Sequence, residues 1–170
     1  MPIIETAKGQ DAARDIARAG TRIKRLSFGA GDYTKDLGME WSLAETELAS
    51  MRAEMVVASR VGELDPPIDT VFIHIREHDS FLESCNLVRD LGFQGKLCIH
   101  PDQVPVANGA FTPTAEQLAF AHKVIDAFAE AEAAGSASIQ IDGYFVDYPI
   151  VDKAQRIVDV AEAIARAEAA

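Results

Sequence analysis

The feature that most restricts the fold is an alternation repeated four times: a short apolar run, then a stretch with helical periodicity. Apolar runs fall at 2–5, 25–28, 70–75 and 96–99, and the third, built on Val71, Phe72 and Ile73, is β-branched and aromatic. Helical periodicity follows at 8–19, 43–60, 80–91 and 115–133. Ala12, Ala13, Ile16 and Ala17 form the apolar stripe of the first, and Leu48, Met51, Met55 and Val56 that of the second. Gly20, Gly92 and Gly135 supply stops, and Asp65-Pro66-Pro67 a rigid turn. Ser42 with Glu45, and Thr114 with Gln117, have the spacing of capping boxes. Strands joined by helical crossovers imply a parallel sheet with right-handed connections. The expected class is therefore α/β. Four βα units are half of an eight-stranded (β/α)8 barrel, which typically takes about 250 residues.

After the fourth unit come two short strands, 138–141 and 144–146, around Asp142-Gly143, the dipeptide of a tight hairpin. Pro149 then opens a helix to about residue 167, with Ile150, Ala154, Ile157, Val160, Ala161 and Ile164 on one face. The expected organisation is a half barrel over 1–135 and a C-terminal segment of hairpin and helix over 136–170.

The chain is acidic, with a net charge of −11, which argues against a nucleic-acid partner. No basic, apolar leader and no run of membrane-spanning length appears, so the expected location is the cytoplasm with no membrane association. The two cysteines, Cys85 and Cys98, form no CxxC and read as small buried hydrophobes. Met1-Pro2 leads at once into a strand carrying a candidate site acid, which suggests that a natural N-terminal portion precedes it.

Two acids stand out. Glu5 and Asp32 each follow a strand-like run, and acids at the C-terminal ends of parallel strands converge on one face of a barrel. Two carboxylates beside the accessible backbone of Gly29 and Gly31 suit a hard cation with an anionic ligand. Plainer roles stay open. Glu5 could cap the next helix or pair with a lysine, Asp32 and Asp36 could be turn and cap residues, and Asp147 could cap the last helix. His74-Ile75-Arg76-Glu77-His78 spells H-x-x-E-H, but its first histidine falls at a strand end, so a zinc site is not expected. Gly29-Ala30-Gly31 opens like a dinucleotide fingerprint, but Thr34 stands where its third glycine belongs. His100-Pro101 reads as a hydrogen-bonded loop histidine or a contact to a ligand.

Five motifs occur in one order: Ile4-Glu5-Thr6-Ala7-x-Gly9; Phe28-Gly29-x-Gly31-Asp32-Tyr33-x-x-Asp36-Leu37-Gly38; Gly92-Phe93-x-Gly95-Lys96-x-x-Ile99-His100-Pro101-x-Gln103; Asn108-x-x-Phe111-x-Pro113; and Asp142-Gly143-x-x-Val146-Asp147-x-Pro149. Together they resemble the citrate lyase beta-subunit-like family, acyl-CoA lyases of the HpcH/HpaI aldolase superfamily that cleave malyl-CoA, citramalyl-CoA or related units; some are malyl-CoA thioesterases. The resemblance implies the last four βα units of a TIM (β/α)8 barrel followed by a lid. It implies Glu5 and Asp32 as ligands of Mg2+, and backbone at Gly29, Gly31 and Asp32 as the seat of a substrate carboxylate. Asp147 is implied as the acid/base of the lid. The implied partners are an acyl-CoA thioester and either further copies of the chain or an N-terminal half. The family's first four strands, with a substrate-holding arginine, have no counterpart here, and the 74–79 stretch lacks the acidic pattern usual in the family.

Overall fold

The computed structural model describes residues 1–20 and 22–169. Thr21 and Ala170, one in each expected segment, lie outside the described residues. Two compact units emerge, one ending at Phe111 and the other starting at Thr112.

The first unit is built on four parallel strands in sequential order: β1 (Ile3–Ile4), β2 (Ser27–Phe28), β3 (Ile68–Asp69) and β4 (Gly95–Lys96). Ladder bonds run past these short cores, from Asp65 N–H to the Lys24 carbonyl (3.0 Å) and from Gly29 N–H to the Ile4 carbonyl (2.9 Å). The register aligns Ile4 with Phe28 and Asp69 with Lys96, and all four are buried. The helices are α1 (Ala7–Asp11), α2 (Ala13–Arg18), α3 (Ala30–Leu37), α4 (Ala49–Val61), α5 (His78–Leu91) and α6 (Gln103–Phe111). Ile4, Phe28, Leu26, Tyr33, Leu48, Met51 and Met55 form the main core, joined by Ala13 and Ala17 of α2.

Several elements differ from the sequence reading. The 70–75 run is not a strand: the β3 ladder stops at Asp69, beyond which Phe72 packs on Phe81 while Ile73 and Ile75 stay exposed. β-branched composition reports fit to a pleated surface and does not supply a neighbouring strand. The expected 8–19 helix breaks at Ala12, which closes α1 and opens α2. Ser42 does not cap a helix from residue 43. Its N–H and hydroxyl both bond the Glu47 carboxylate (2.8 and 2.7 Å), a single 3-10 turn follows at Thr46–Leu48, and α4 starts only at Ala49. Glu45, the expected box partner, is left-handed (φ 52°) and turned inward. The α3 and α6 helices were not expected; α3 ends on Gly38 at φ 67°, a conformation that favours glycine.

The inward turn of Glu45 is explained by a buried cluster. The Arg52 guanidinium forks onto both oxygens of Asp69 (Nε to Oδ1 3.1 Å, Nη2 to Oδ2 3.0 Å) and also reaches Glu45 Oε2 at 2.6 Å. Lys96 Nζ donates to Asp69, and Ser84 donates to Glu45. Two acids and two bases are thus neutralised between α4, α5 and the last two strands. Burial alone would lower the pKa of Arg52, but Asp69 and Glu45 outweigh it and hold it above its ordinary value.

The second unit follows the sequence closely. Helix α7 (Ala115–Ala133) starts on a complete capping box, Gln117 N–H to Thr114 Oγ1 (3.1 Å) and Thr114 N–H to Gln117 Oε1 (2.9 Å). A hairpin of β5 (Ile139–Ile141) and β6 (Tyr144–Val146) turns on Asp142 and Gly143, both at positive φ (50° and 86°), and α8 (Tyr148–Glu168) follows. Val124 and Phe128 of α7 pack with Ile141, Val146, Ala154 and Val158. Helix α7 therefore sides with the hairpin and α8, whereas the sequence boundary at 135 had assigned it to the half barrel. No helix among the described residues is long and apolar enough to cross a membrane.

Candidate functional site

The site candidates of the first unit gather where β1 and β2 deliver the chain to α1 and α3. Glu5 leaves the end of β1 and is exposed, and its side chain lies directly over Gly29. A Cβ on Gly29 would run into Glu5 Oε1 and come within 2.9 Å of its Cγ and 3.0 Å of its Cδ. Gly29 is needed here for space, not for an unusual backbone angle, since its φ is −106°. Thr6, not Glu5, caps α1, accepting from Gly9 N–H at 3.0 Å, so the carboxylate is left free of that duty.

Gly29 is also the N-cap of α3, which places Gly31 and Asp32 in the first helical turn. The donors of that turn are unevenly used. Gly29 N–H is taken by the Ile4 carbonyl, Ala30 N–H by the Thr70 hydroxyl (2.9 Å), and Tyr33 N–H by the Gly29 carbonyl (3.1 Å). Among the described residues nothing accepts from the N–H groups of Gly31 and Asp32. Gly29 thus contributes room, and the open donors belong to the next pair. Unpaired N–H groups at a helix start, with the positive end of the dipole behind them, suit an anionic ligand.

Asp32 is exposed. Asp36, one turn further along the same face, accepts Ala7 N–H at 2.8 Å, so this side of α3 is turned towards the loop that follows Glu5. Tyr33 adds a second tie, its hydroxyl donating to Gln10 Oε1 at 2.7 Å. Two carboxylates are a donor set that suits Mg2+, which takes one or two protein carboxylates and keeps several waters. The crowding of Glu5 over a residue with no Cβ is consistent with a cradle for such an ion. No cluster of three or more His, Cys, Asp or Glu side chains that could hold a metal ion occurs among the described residues.

Asp147 belongs to the second unit. It is the N-cap of α8, is partly buried, and makes no capping hydrogen bond through its side chain. Its carboxylate is therefore uncommitted. The other sequence signals take structural roles. His74 precedes α5 instead of riding on it, and packs edge-on against Phe72. His100 is a loop residue whose Nδ1 accepts Asp102 N–H at 3.3 Å. Cys85 is fully buried, and burial pushes its thiol up to about 12, which disfavours the thiolate form. Two residues went unnoticed in the sequence. Thr70 carried no signal beyond its place in an apolar run. Gln103 stood in a motif but had no assigned part; buried on α6, it joins the Phe72 carbonyl (2.9 Å) to the Ile99 N–H (2.9 Å) and so ties the loops after β3 and β4.

The chain is 32% identical to the citrate lyase subunit beta of Haemophilus influenzae, over 99% of this chain and 57% of that protein. It is 32% identical to a (3S)-malyl-CoA thioesterase of Cereibacter sphaeroides, over 96% of this chain and 56% of that protein. Among solved structures it resembles CitE of Mycobacterium tuberculosis in complex with magnesium, acetoacetate and coenzyme A, with a TM-score of 0.78, 26% identity, and coverage of 94% of this chain and 60% of that one. The chain therefore spans somewhat more than half the length of the relatives it matches. Residues 1–101, more than half of the sequence, match the family described as HpcH/HpaI aldolase/citrate lyase, and the chain belongs to that family.

Proposed function

We propose that the chain forms the metal-holding part and the lid of a Mg2+-dependent acyl-CoA lyase, one that splits a 3-hydroxyacyl-CoA such as malyl-CoA or citramalyl-CoA into acetyl-CoA and a 2-oxo acid. The observation that carries this reading is the Glu5 carboxylate lying over Gly29 at the head of a helix whose second and third N–H groups are open. Glu5 and Asp32 would hold the ion, which supplies Lewis-acid stabilisation of the oxygen that becomes the oxo group. Gly31 and Asp32 N–H would orient the substrate carboxylate, and Gly29, lacking a Cβ, leaves room for the Glu5 side chain. In the reaction the substrate hydroxyl loses a proton and the bond between the carbinol carbon and the thioester α-carbon breaks. The electron pair passes to the thioester enolate, which takes up a proton to become acetyl-CoA. Asp147, uncommitted on the segment read as a lid, is assigned to carry that proton.

The sequential parallel sheet supports the half-barrel reading, with β1 and β4 as its edges. Unpaired strand edges recruit further strands. The extra length of the relatives supports an N-terminal half as the neighbour of those edges, with a second copy of the chain as the alternative. The malyl-CoA thioesterase among the relatives favours one competing reaction, attack of water on the thioester.

Incubation with Mg2+ and malyl-, citramalyl- or citryl-CoA separates the readings, using the chain alone and mixed with the N-terminal portion of a full-length relative. Acetyl-CoA with an equal amount of 2-oxo acid is the expected result. Free CoA with an intact hydroxy acid would identify a thioesterase, and no product in either mixture would remove the catalytic reading.

Gly29→Ala gives a sharper local test. The backbone angle tolerates alanine, and the obstructing atoms belong to the flexible Glu5 side chain, so the fold is expected to survive with little change in Tm. The displaced carboxylate should weaken Mg2+ binding by about tenfold or more, read by calorimetric titration. Wild-type affinity in the folded variant would show that Glu5 does not use this position.

A further inference from the structure

We infer that Thr70 is a positioning residue of this site, holding the head of α3 in the register that leaves the Gly31 and Asp32 N–H groups open. The inference rests on the metal-site reading above and extends it to a residue that touches neither ion nor substrate. Thr70 follows directly on β3, is fully buried, and its Oγ1 accepts the N–H of Ala30, itself fully buried, at 2.9 Å. That bond crosses from the end of one strand to the first residue of the helix after its neighbour.

The anchor is rigid for an identifiable reason. The preceding residue, Asp69, is clamped by the Arg52 fork and by Lys96 Nζ, and its carbonyl accepts Leu97 N–H at 3.0 Å. A chain of contacts thus runs from the buried charge cluster through the end of β3 to the turn carrying Asp32. Of the donors at the head of α3, Thr70 satisfies the one with no access to water. The two that remain are the outward ones.

Removing the hydroxyl while keeping the shape, as in Thr70→Val, leaves the Ala30 N–H buried without an acceptor. The turn can recover a partner only by shifting towards water, and the shift carries Asp32 and the open donors with it. Thr70→Ser keeps the acceptor and should keep the geometry.

The test is a titration of Mn2+, as a spectroscopic substitute for Mg2+, into the full chain as wild type, Thr70→Ser, Thr70→Val and Asp32→Asn, followed by electron paramagnetic resonance. Thr70→Val is expected to bind about tenfold more weakly, in the range seen for supporting residues of metal sites, and Thr70→Ser to stay within about twofold of wild type. A purely structural role would lower Tm in Thr70→Val and leave the affinity of the folded protein unchanged, which would overturn the inference while the loss in Asp32→Asn upheld the metal site. If wild type bound no Mn2+, or Asp32→Asn bound as well as wild type, the metal site and the inference would fall together. Should Thr70→Val not fold, amide exchange in the wild type decides: Ala30 is expected to be protected and Gly31 and Asp32 to exchange fast. Rapid exchange at Ala30 would contradict the role of Thr70.

Discussion

Arg52→Ala is expected to destabilise the first unit by about 3–5 kcal/mol, the range for removing one partner of a buried ion pair. The residue is 1% exposed, and its guanidinium serves both Asp69 and Glu45, which are 0% and 2% exposed. Alanine would leave Asp69 with Lys96 alone, and Glu45 with the Ser84 hydroxyl and a Lys96 ammonium 3.7 Å away. Glu45 already has one buried oxygen, Oε1, without a donor, so the cluster has no spare donor to compensate. Arg52→Lys keeps the charge but loses the planar fork onto Asp69, and should fall between wild type and alanine. The size of the effect matters because a domain of this kind is typically stable by only about 5–15 kcal/mol. Urea unfolding monitored by circular dichroism measures it, and a loss below about 1 kcal/mol for Arg52→Ala would show that the cluster is not the tie described.

That cluster also marks where the sequence could not be read locally. Ser42 and Glu45 have the spacing of a capping box, and nothing nearby says that Glu45 is instead drawn inward by an arginine seven residues on and a serine on α5. A buried arginine must find carboxylates, and that tertiary demand overrides a cap. The Val71-Phe72-Ile73 run failed for a related reason, because a strand needs a neighbour to pair with at its own level. Thr114 with Gln117 and Asp142-Gly143 were legible because capping boxes and tight hairpins are closed within a few residues. Glu5, Gly29, Gly31 and Asp32 are proposed as site residues from their places after apolar runs and from motif order. The division of labour among them was not. That Gly29 supplies room while its N–H is spent on Ile4 follows only from the ladder between β1 and β2. Thr70 was invisible because its role depends on which strand lies beside which.

Asp32→Asn carries the second large effect. The substitution keeps the shape of the side chain and removes its charge at the third position of α3. The lost interaction with the helix dipole costs about 0.3–1 kcal/mol, too little to unfold the unit. In the proposed site, Glu5 and Asp32 each supply half of the anionic charge offered to a divalent ion. Mg2+ affinity is therefore expected to fall by about two orders of magnitude. Glu5→Gln should act in the same way, and the two variants should show the same loss whether or not the chain turns over substrate alone. Calorimetric titration of Mg2+ into wild type, Glu5→Gln and Asp32→Asn, each confirmed folded by circular dichroism, measures this directly: one site in the wild type, lost in both variants, is the predicted result, and wild-type affinity in either variant would contradict it.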